Sequence, residues 1–92
     1  MTLTTTFRKR PDVRFRNIGG EGIVVMQSSA EVLVVSEVGA RVLELIESGN
    51  AVGGILTAIS AEYDVDSAVL EHDALAYLQQ LLDADVIEVA TA

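Results

Sequence analysis

Few residues of this chain could do chemistry, and the most suggestive group is Glu71-His72-Asp73. Two carboxylates and an imidazole in a row suggest ligands for a metal ion. The surrounding apolar spacing predicts a helix, however, and consecutive helical residues point about 100° apart, so these three side chains cannot converge on one ion. We therefore expect His72, the only histidine, to be a surface residue.

The other candidates for catalysis or cofactor binding are also weak. The chain has no cysteine, which excludes disulfides, thiolate catalysis and cysteine metal sites. The segment Gly19-Gly20-Glu21-Gly22 precedes a predicted strand rather than a helix, and it lacks the lysine of a phosphate-binding loop. The sequence therefore predicts no catalytic residues, no metal ligands and no cofactor, which means a protein that is not an enzyme.

Length and charge limit the function further. The 92 residues are enough for one domain with one core. Residues 1–16 hold five of the six basic residues, whereas residues 17–92 hold Arg41 against thirteen acids, and the total charge is −8. Such an acidic body repels phosphate, so nucleic acid is not an expected partner. The sequence lacks an apolar run long enough to cross a membrane and an apolar signal segment, so the expected location is cytoplasmic and no membrane partner is expected.

The first half of the chain has the pattern of short strands. Residues 13–18 alternate between apolar and polar types, residues 23–26 are apolar, and residues 31–35 are a glutamate followed by four apolar residues. Short glycine- and serine-containing segments separate them, so the three strands should pair as an antiparallel meander, with the middle strand covered on both faces. Residues 1–11 are predicted to be an irregular, flexible basic N-terminal arm, which leaves residues 12–90 as the folded domain.

From Ser36 onward, apolar residues recur at helical spacing. The predicted helices cover residues 36–48, 50–63 and 64–84, and a short strand follows over residues 86–89. The predicted N-caps are Ser36, Asn50 and either Asp64 or Asp66. Strands followed by helices predict an α+β domain, in which a three-stranded antiparallel sheet is followed by three helices that pack on one side of it.

The third strand and the third helix contain the candidate binding site. An apolar stripe of Leu70, Ala74, Tyr77 and Leu81 should face the core, and a flank of leucines makes this stripe wider than one contact requires. If the third strand lies at a sheet edge, its free backbone groups are a template for an added peptide strand, and the flank is one wall of a groove. The alternative is that the second helix or a dimer partner covers the flank. The candidate peptide-binding residues are Glu31, Val32, Leu33, Val34, Val35, Glu71, Leu75, Leu78 and Leu82.

Several segments between Pro11 and Val89 match a known family in their order and spacing. They are Val13-Arg14-Phe15-Arg16, Val38-Gly39-Ala40-Arg41-Val42-Leu43-Glu44-Leu45, Ile55-Leu56 with Tyr63-Asp64-Val65, and Asp73 with Leu75, Tyr77, Leu78, Leu81 and Val86-Ile87. Together they resemble the PqqD-like family, the peptide-recognition elements of pathways that modify ribosomally made peptides. One departure is Val35-Ser36, where the family often has Leu-Asn before the first helix.

This resemblance implies a winged helix-turn-helix-like fold that no longer binds DNA. It also implies that a precursor's leader peptide binds as an added strand beside the third strand, against the third helix. The predicted function is a non-catalytic leader-peptide-binding chaperone that presents a ribosomal precursor peptide to a modifying enzyme, such as a radical-SAM protein, or to a leader peptidase.

Two other functions are compatible with the same pattern. One is a winged-helix DNA-binding regulator, but the second and third predicted helices contain no lysine or arginine, which a recognition helix needs. The other is a structural dimerisation module that uses the same edge and groove, and a homodimer is accordingly a further expected partner.

Overall fold

The computed structural model describes residues 1–90. Within them the chain forms five strands and three helices, and the predicted α+β class, with a three-stranded antiparallel sheet followed by three helices, is confirmed. The elements are β1 (Phe7–Lys9), β2 (Val13–Ile18), β3 (Glu21–Met26), β4 (Glu31–Val35), α1 (Glu37–Glu47), α2 (Val52–Glu62), α3 (Ser67–Asp83) and β5 (Ile87–Val89).

The strands β2, β3 and β4 form the predicted antiparallel meander, in that spatial order. Its inner face carries Val13, Val24 and Met26 into the hydrophobic core. The outer face remains open, because Val32 and Val34 of β4 are exposed. The prediction that the middle strand is covered on both faces is therefore wrong, since the apolar side chains of β3 reflect only one buried face.

Two of the three predicted helix N-caps are confirmed. The Ser36 hydroxyl accepts a hydrogen bond from the Gly39 N–H at 3.2 Å, and the Asp66 carboxylate accepts bonds from two N–H groups of α3. Asn50 is not the cap of α2, because its side-chain amide donates to the Leu45 carbonyl at the end of α1 instead. None of the helices within residues 1–90 is long and apolar enough to cross a membrane.

The N-terminal segment caps α2 in place of a side chain. The first N–H groups of a helix have no partner within the helix and need an outside acceptor. The N–H groups of Val52 and Gly53 donate to the carbonyls of Thr5 and Leu3, each at 2.9 Å. A methyl group on Gly53 would lie 3.3 Å from the Leu3 carbonyl oxygen, so a glycine at this position permits the close approach.

The prediction that residues 1–11 are irregular is wrong for Phe7–Lys9, which form β1. This strand pairs antiparallel with β5, with Phe7 opposite Val89, and the Phe7 side chain is only 1% exposed. A three-residue strand has no detectable alternation, and its partner lies at the far end of the chain, so local pattern could not reveal it.

The basic residues near β1 are also engaged with the acidic body. Lys9 lies 3.2 Å from a Glu47 carboxylate oxygen, and Arg8 and Arg10 both lie beside Glu88. Exposed pairs of this kind contribute little each, but they place the N-terminal charges against the domain. We propose that the folded domain starts at or before residue 3 rather than at residue 12.

Replacing Phe7 by alanine tests this role of β1. Phe7→Ala removes a fully buried aromatic side chain, which costs about 3–5 kcal/mol of the free energy of unfolding. For a domain of this size we expect the melting temperature to fall by at least about 12 °C. Leu3→Ala is the control, because Leu3 contributes its carbonyl to α2 while its side chain is 57% exposed. Equal melting temperatures for Phe7→Ala and the parent chain would show that β1 does not contribute to the core.

Candidate functional site

The strand β4 lies at an edge of the three-stranded sheet, which is the condition under which the sequence predicts peptide addition. It pairs with β3 on one side, and no other strand within residues 1–90 pairs with its second side. Leu33 and Val35 point to the inner face and pack against the core, whereas Val32 and Val34 are 61% and 65% exposed. An edge strand of this kind offers a row of free N–H and C=O groups.

The core-facing stripe of α3 is shifted from the predicted one: Ala74 and Leu81 are buried as predicted, whereas Leu70 and Tyr77 are only partly buried against the core. Its buried residues are Ala74, Leu78 and Leu81, and Leu78 has no exposed surface. The prediction that Leu78 lines an exposed groove is therefore wrong. Apolar residues continue around much of α3, so periodicity could not indicate which of two neighbouring stripes faces the core.

The other predicted residues of α3 occupy two separate places. Leu75 and Leu82 are partly buried and pack against the core cluster. Glu71 is exposed and borders a cleft of about 390 Å³ between α2 and α3, together with Leu56 and Ser60. A peptide contact by Leu75, Leu82 or Glu71 stays a prediction, and none of the three lines the more apolar pocket beside α1.

This apolar pocket lies where α1, the end of α2 and the first half of α3 meet, and its volume is about 380 Å³. Ligand-binding clefts commonly start near this size. The pocket begins at Ser36, directly after β4, so it continues from the end of the open sheet edge. The lining residues are Ser36, Val38, Gly39, Val42, Ile59, Tyr63, Val65, Val69, Leu70, Asp73, Ala74 and Tyr77.

The rim of this pocket is unusually apolar for a protein surface. Val38, Val65 and Val69 are 40%, 45% and 56% exposed, and all three belong to the lining. Asp73 is the one carboxylate among the lining residues. Single exposed apolar residues are common on protein surfaces and need no explanation. A cluster of exposed valines around a concave site, by contrast, is typical of a surface that binds an apolar group.

Tyr77 adds a polar group that has no partner. Its hydroxyl is buried and makes no hydrogen bond with any group of residues 1–90. Burial raises the pKa of the Tyr77 phenol, so the hydroxyl keeps its proton at neutral pH. A buried hydroxyl without a partner is rare in folded proteins, and one beside a pocket is available to a ligand as a donor or an acceptor.

Gly39 brings the strand edge and the pocket together. A methyl group at Gly39 would collide with the Tyr77 hydroxyl and would lie 3.3 Å from Cβ of Val35. Val35 belongs to β4 and Tyr77 to α3, so the two elements meet over this glycine. The absence of a side chain at Gly39 is therefore what lets α3 come close to the end of the edge strand.

A bidentate ion pair joins two of the three helices that frame the pocket. Arg41 of α1 donates from Nε and Nη2 to the Glu62 carboxylate of α2, at 2.8 and 2.9 Å. This hydrogen bonding lowers the pKa of Glu62 and raises that of Arg41. Burial, followed by the charge of Glu37, raises the pKa of the adjacent Tyr63, which keeps this second phenol of the pocket protonated.

The residues singled out for possible chemistry are not assembled into a site. His72 is exposed, as predicted. Within residues 1–90 no three potential metal ligands lie close enough together to hold an ion. The valines of the pocket rim were not among the predicted site residues. One feature of the sequence could have indicated them: Val65 and Val69 lie four residues apart, at helical spacing, and neither belongs to a predicted core stripe.

Comparisons with known proteins agree with this architecture. The pattern of the family described as coenzyme PQQ synthesis protein D (PqqD) matches residues 21–87. A search of curated proteins found no match. One similar solved structure is TbiB1 in complex with the TbiA(beta) leader peptide, which is 26% identical over 92% of this chain and 99% of that chain, with a TM-score of 0.84.

A second solved structure, lasso peptide synthetase B1 complexed with the leader peptide, supports the fold alone. It is 18% identical over 89% of this chain and 96% of that chain, with a TM-score of 0.80. The PqqD match extends from the start of β3 to the start of β5 and so includes the edge strand, all three helices and the pocket. The chain belongs to the PqqD family.

Proposed function

We propose that this protein is a non-catalytic chaperone that binds the leader segment of a ribosomally made precursor peptide. The observation that carries this proposal is the open edge of β4 directly beside an apolar pocket of about 380 Å³. The 26% identical structure of TbiB1, which contains a leader peptide, supports it independently. The bound precursor is presented to a second protein, either a modifying enzyme such as a radical-SAM protein or a leader peptidase.

Backbone pairing with β4 is the first part of the proposed binding mode. An extended peptide adds beside Glu31, Val32, Leu33, Val34 and Val35 and satisfies their free N–H and C=O groups. This pairing contributes affinity without reading side chains, because every residue except proline offers the same backbone groups. It therefore suits a carrier whose precursor varies in sequence outside a few anchor positions.

The pocket is the second part of the proposed binding mode, and it selects the side chains of the leader at the anchor positions. Alternate side chains of an added strand point to the inner side of the sheet, where the end of β4 leads to Ser36 and the pocket. An apolar or aromatic side chain of the leader enters among Val38, Val65 and Val69. The unpartnered Tyr77 hydroxyl and the Asp73 carboxylate favour an anchor that also carries a polar group or a neighbouring cation.

The DNA-binding alternative has no observation in its favour. The helices α2 and α3 carry no lysine or arginine, and the surface beside them includes exposed Glu71, Asp73 and Glu62. Affinity for nucleic acid depends chiefly on cations that neutralise phosphates. These helices would repel a duplex rather than attract it.

The decisive experiment is a titration with synthetic leader peptides. The probes are the TbiA(beta) leader and the N-terminal half of any short peptide encoded beside this chain's gene. For a peptide that binds, single N-methyl groups are placed along its backbone. If the peptide adds as a strand, N-methylation should weaken binding only at every second residue, because alternate N–H groups point toward β4. No binding by any probe, or a loss without a period of two, would overturn strand addition.

Val69→Glu tests the pocket without disturbing the core. Val69 is 56% exposed, so we expect the melting temperature to stay close to that of the parent chain. The new carboxylate would be desolvated by an apolar anchor, which should weaken peptide binding by about tenfold or more. Val89→Glu is the matched control, because Val89 is 51% exposed and lies on β5, away from the pocket lining. Equal affinities for the two variants would show that the anchor does not enter this pocket.

Tyr77→Phe tests the unpartnered hydroxyl. Removing a buried polar group that has no partner should leave the free energy of unfolding unchanged or raise it by about 1 kcal/mol. If the leader supplies the missing hydrogen bond, the same variant should bind it about three- to tenfold more weakly. Denaturant unfolding and peptide titration on one preparation give both values. A variant that loses stability and keeps its full peptide affinity would contradict the assigned role.

A further inference from the structure

The outer face of the three-stranded sheet is a second apolar surface, separate from the pocket. It contains two cross-strand rows, Arg14–Val25–Val32 and Arg16–Ile23–Val34. Val32 and Val34 are 61% and 65% exposed, and Ile18 at the end of β2 is 62% exposed. Contiguous exposed apolar residues on a sheet face are typical of a surface that contacts another protein.

The charges on this face differ from those elsewhere in the molecule. The other four basic residues, Arg8, Lys9, Arg10 and Arg41, each form an ion pair with a carboxylate. Within residues 1–90 Arg14 and Arg16 have no carboxylate within ion-pair distance, although the chain carries fourteen acids and a net charge of −8. The two cations that are free within the described residues therefore border the exposed valine rows.

The same face continues onto a bound peptide. A strand added beside β4 would extend both rows by one residue, because directly paired residues share a face of the sheet. Half of the side chains of the leader would then lie next to Val32 and Val34, pointing away from the pocket. A protein that docks on this face would contact the carrier and its peptide together, and so would distinguish the loaded carrier from the empty one.

We infer that the outer face of β2, β3 and β4 is the docking surface for the protein that acts on the bound peptide, an inference that rests on the proposed function. Charge complementarity defines this partner as a protein with an apolar patch bordered by carboxylates, which pair with Arg14 and Arg16. A second copy of this chain fits less well, since each copy carries a net charge of −8 and the two would repel each other.

The test compares two double variants with the same change in net charge, each of which also replaces one exposed apolar residue by glutamine. Ile18→Gln with Arg16→Gln alters the outer face at β2, which β3 separates from the peptide edge. Val89→Gln with Gln80→Glu makes the matched changes at exposed residues on β5 and α3. Each variant replaces the gene in the producing organism, and mass spectrometry measures the peptide product that disappears when the gene is deleted.

We expect the outer-face variant to lower the amount of product by about tenfold or more, as removal of central interface contacts does, and the control to keep it. Titration of the purified variants with a leader that binds the parent chain should give unchanged affinities. This readout separates the two proposals: if no leader binds the parent chain, the proposed function fails, whereas normal binding with lost product supports the docking surface.

Three results would overturn the docking surface. One is a normal amount of product from the outer-face variant, or the finding that deletion of this gene removes no peptide product. Another is a loss of leader affinity in that variant, which would assign the face to the peptide site itself. The third is a dimer of the parent chain in sedimentation that the outer-face variant abolishes, because a second copy would then be the occupant of the face.

Discussion

The fold depends on the pairing of β1 with β5, which joins the two ends of the chain across the hydrophobic core. Phe7 fills the core from one strand and Ile87 from the other, and both are almost completely buried. The same N-terminal segment supplies the acceptors for the first N–H groups of α2. The N-terminal segment, of which β1 is a part, therefore closes the core, caps a helix and balances part of the negative charge of the domain.

Because the pairing of β1 with β5 closes the core, the edge strand of the three-stranded sheet does not need to be covered. A small domain has little surface to cover and few elements to cover it with. Here the two-stranded sheet and the three helices enclose the core on the inner side, so β4 can stay unpaired on one side without exposing the core. An open edge is usually an aggregation hazard. The acidic surface of the domain reduces that hazard, because copies with a charge of −8 repel one another.

The sequence predicted most of the fold because most of its signals are local. Alternation in β2, the glycine turn before β3, the Ser36 and Asp66 caps and the helical spacing each arise from neighbouring residues. The pairing of β1 with β5 and the capping of α2 by a distant segment depend on contacts across the whole chain, which no local pattern encodes.

Prediction of the candidate site was less complete. The order of elements left both a central and an edge position open for β4, and it did not fix the face of α3, because Tyr77 and Leu78 are both apolar and adjacent. Which of the two is buried is decided by contacts with other elements: Leu78 lies in the core, and Tyr77 lies over Gly39. The pocket consequently lies one stripe away from the predicted groove, where the valines of its rim come from three different segments.

The pairing of Phe7 with Val89 also has a consequence for the order of events during folding. Contacts between residues far apart in the sequence form slowly, since a long loop must close before they contribute free energy. On the ribosome, the meander and the first two helices can assemble while β5 is still unsynthesised, but Phe7 then has no strand to pair with. The domain can complete its core only after residue 89 has emerged, so a nascent chain that stalls earlier exposes an aromatic side chain and an open sheet edge at the same time.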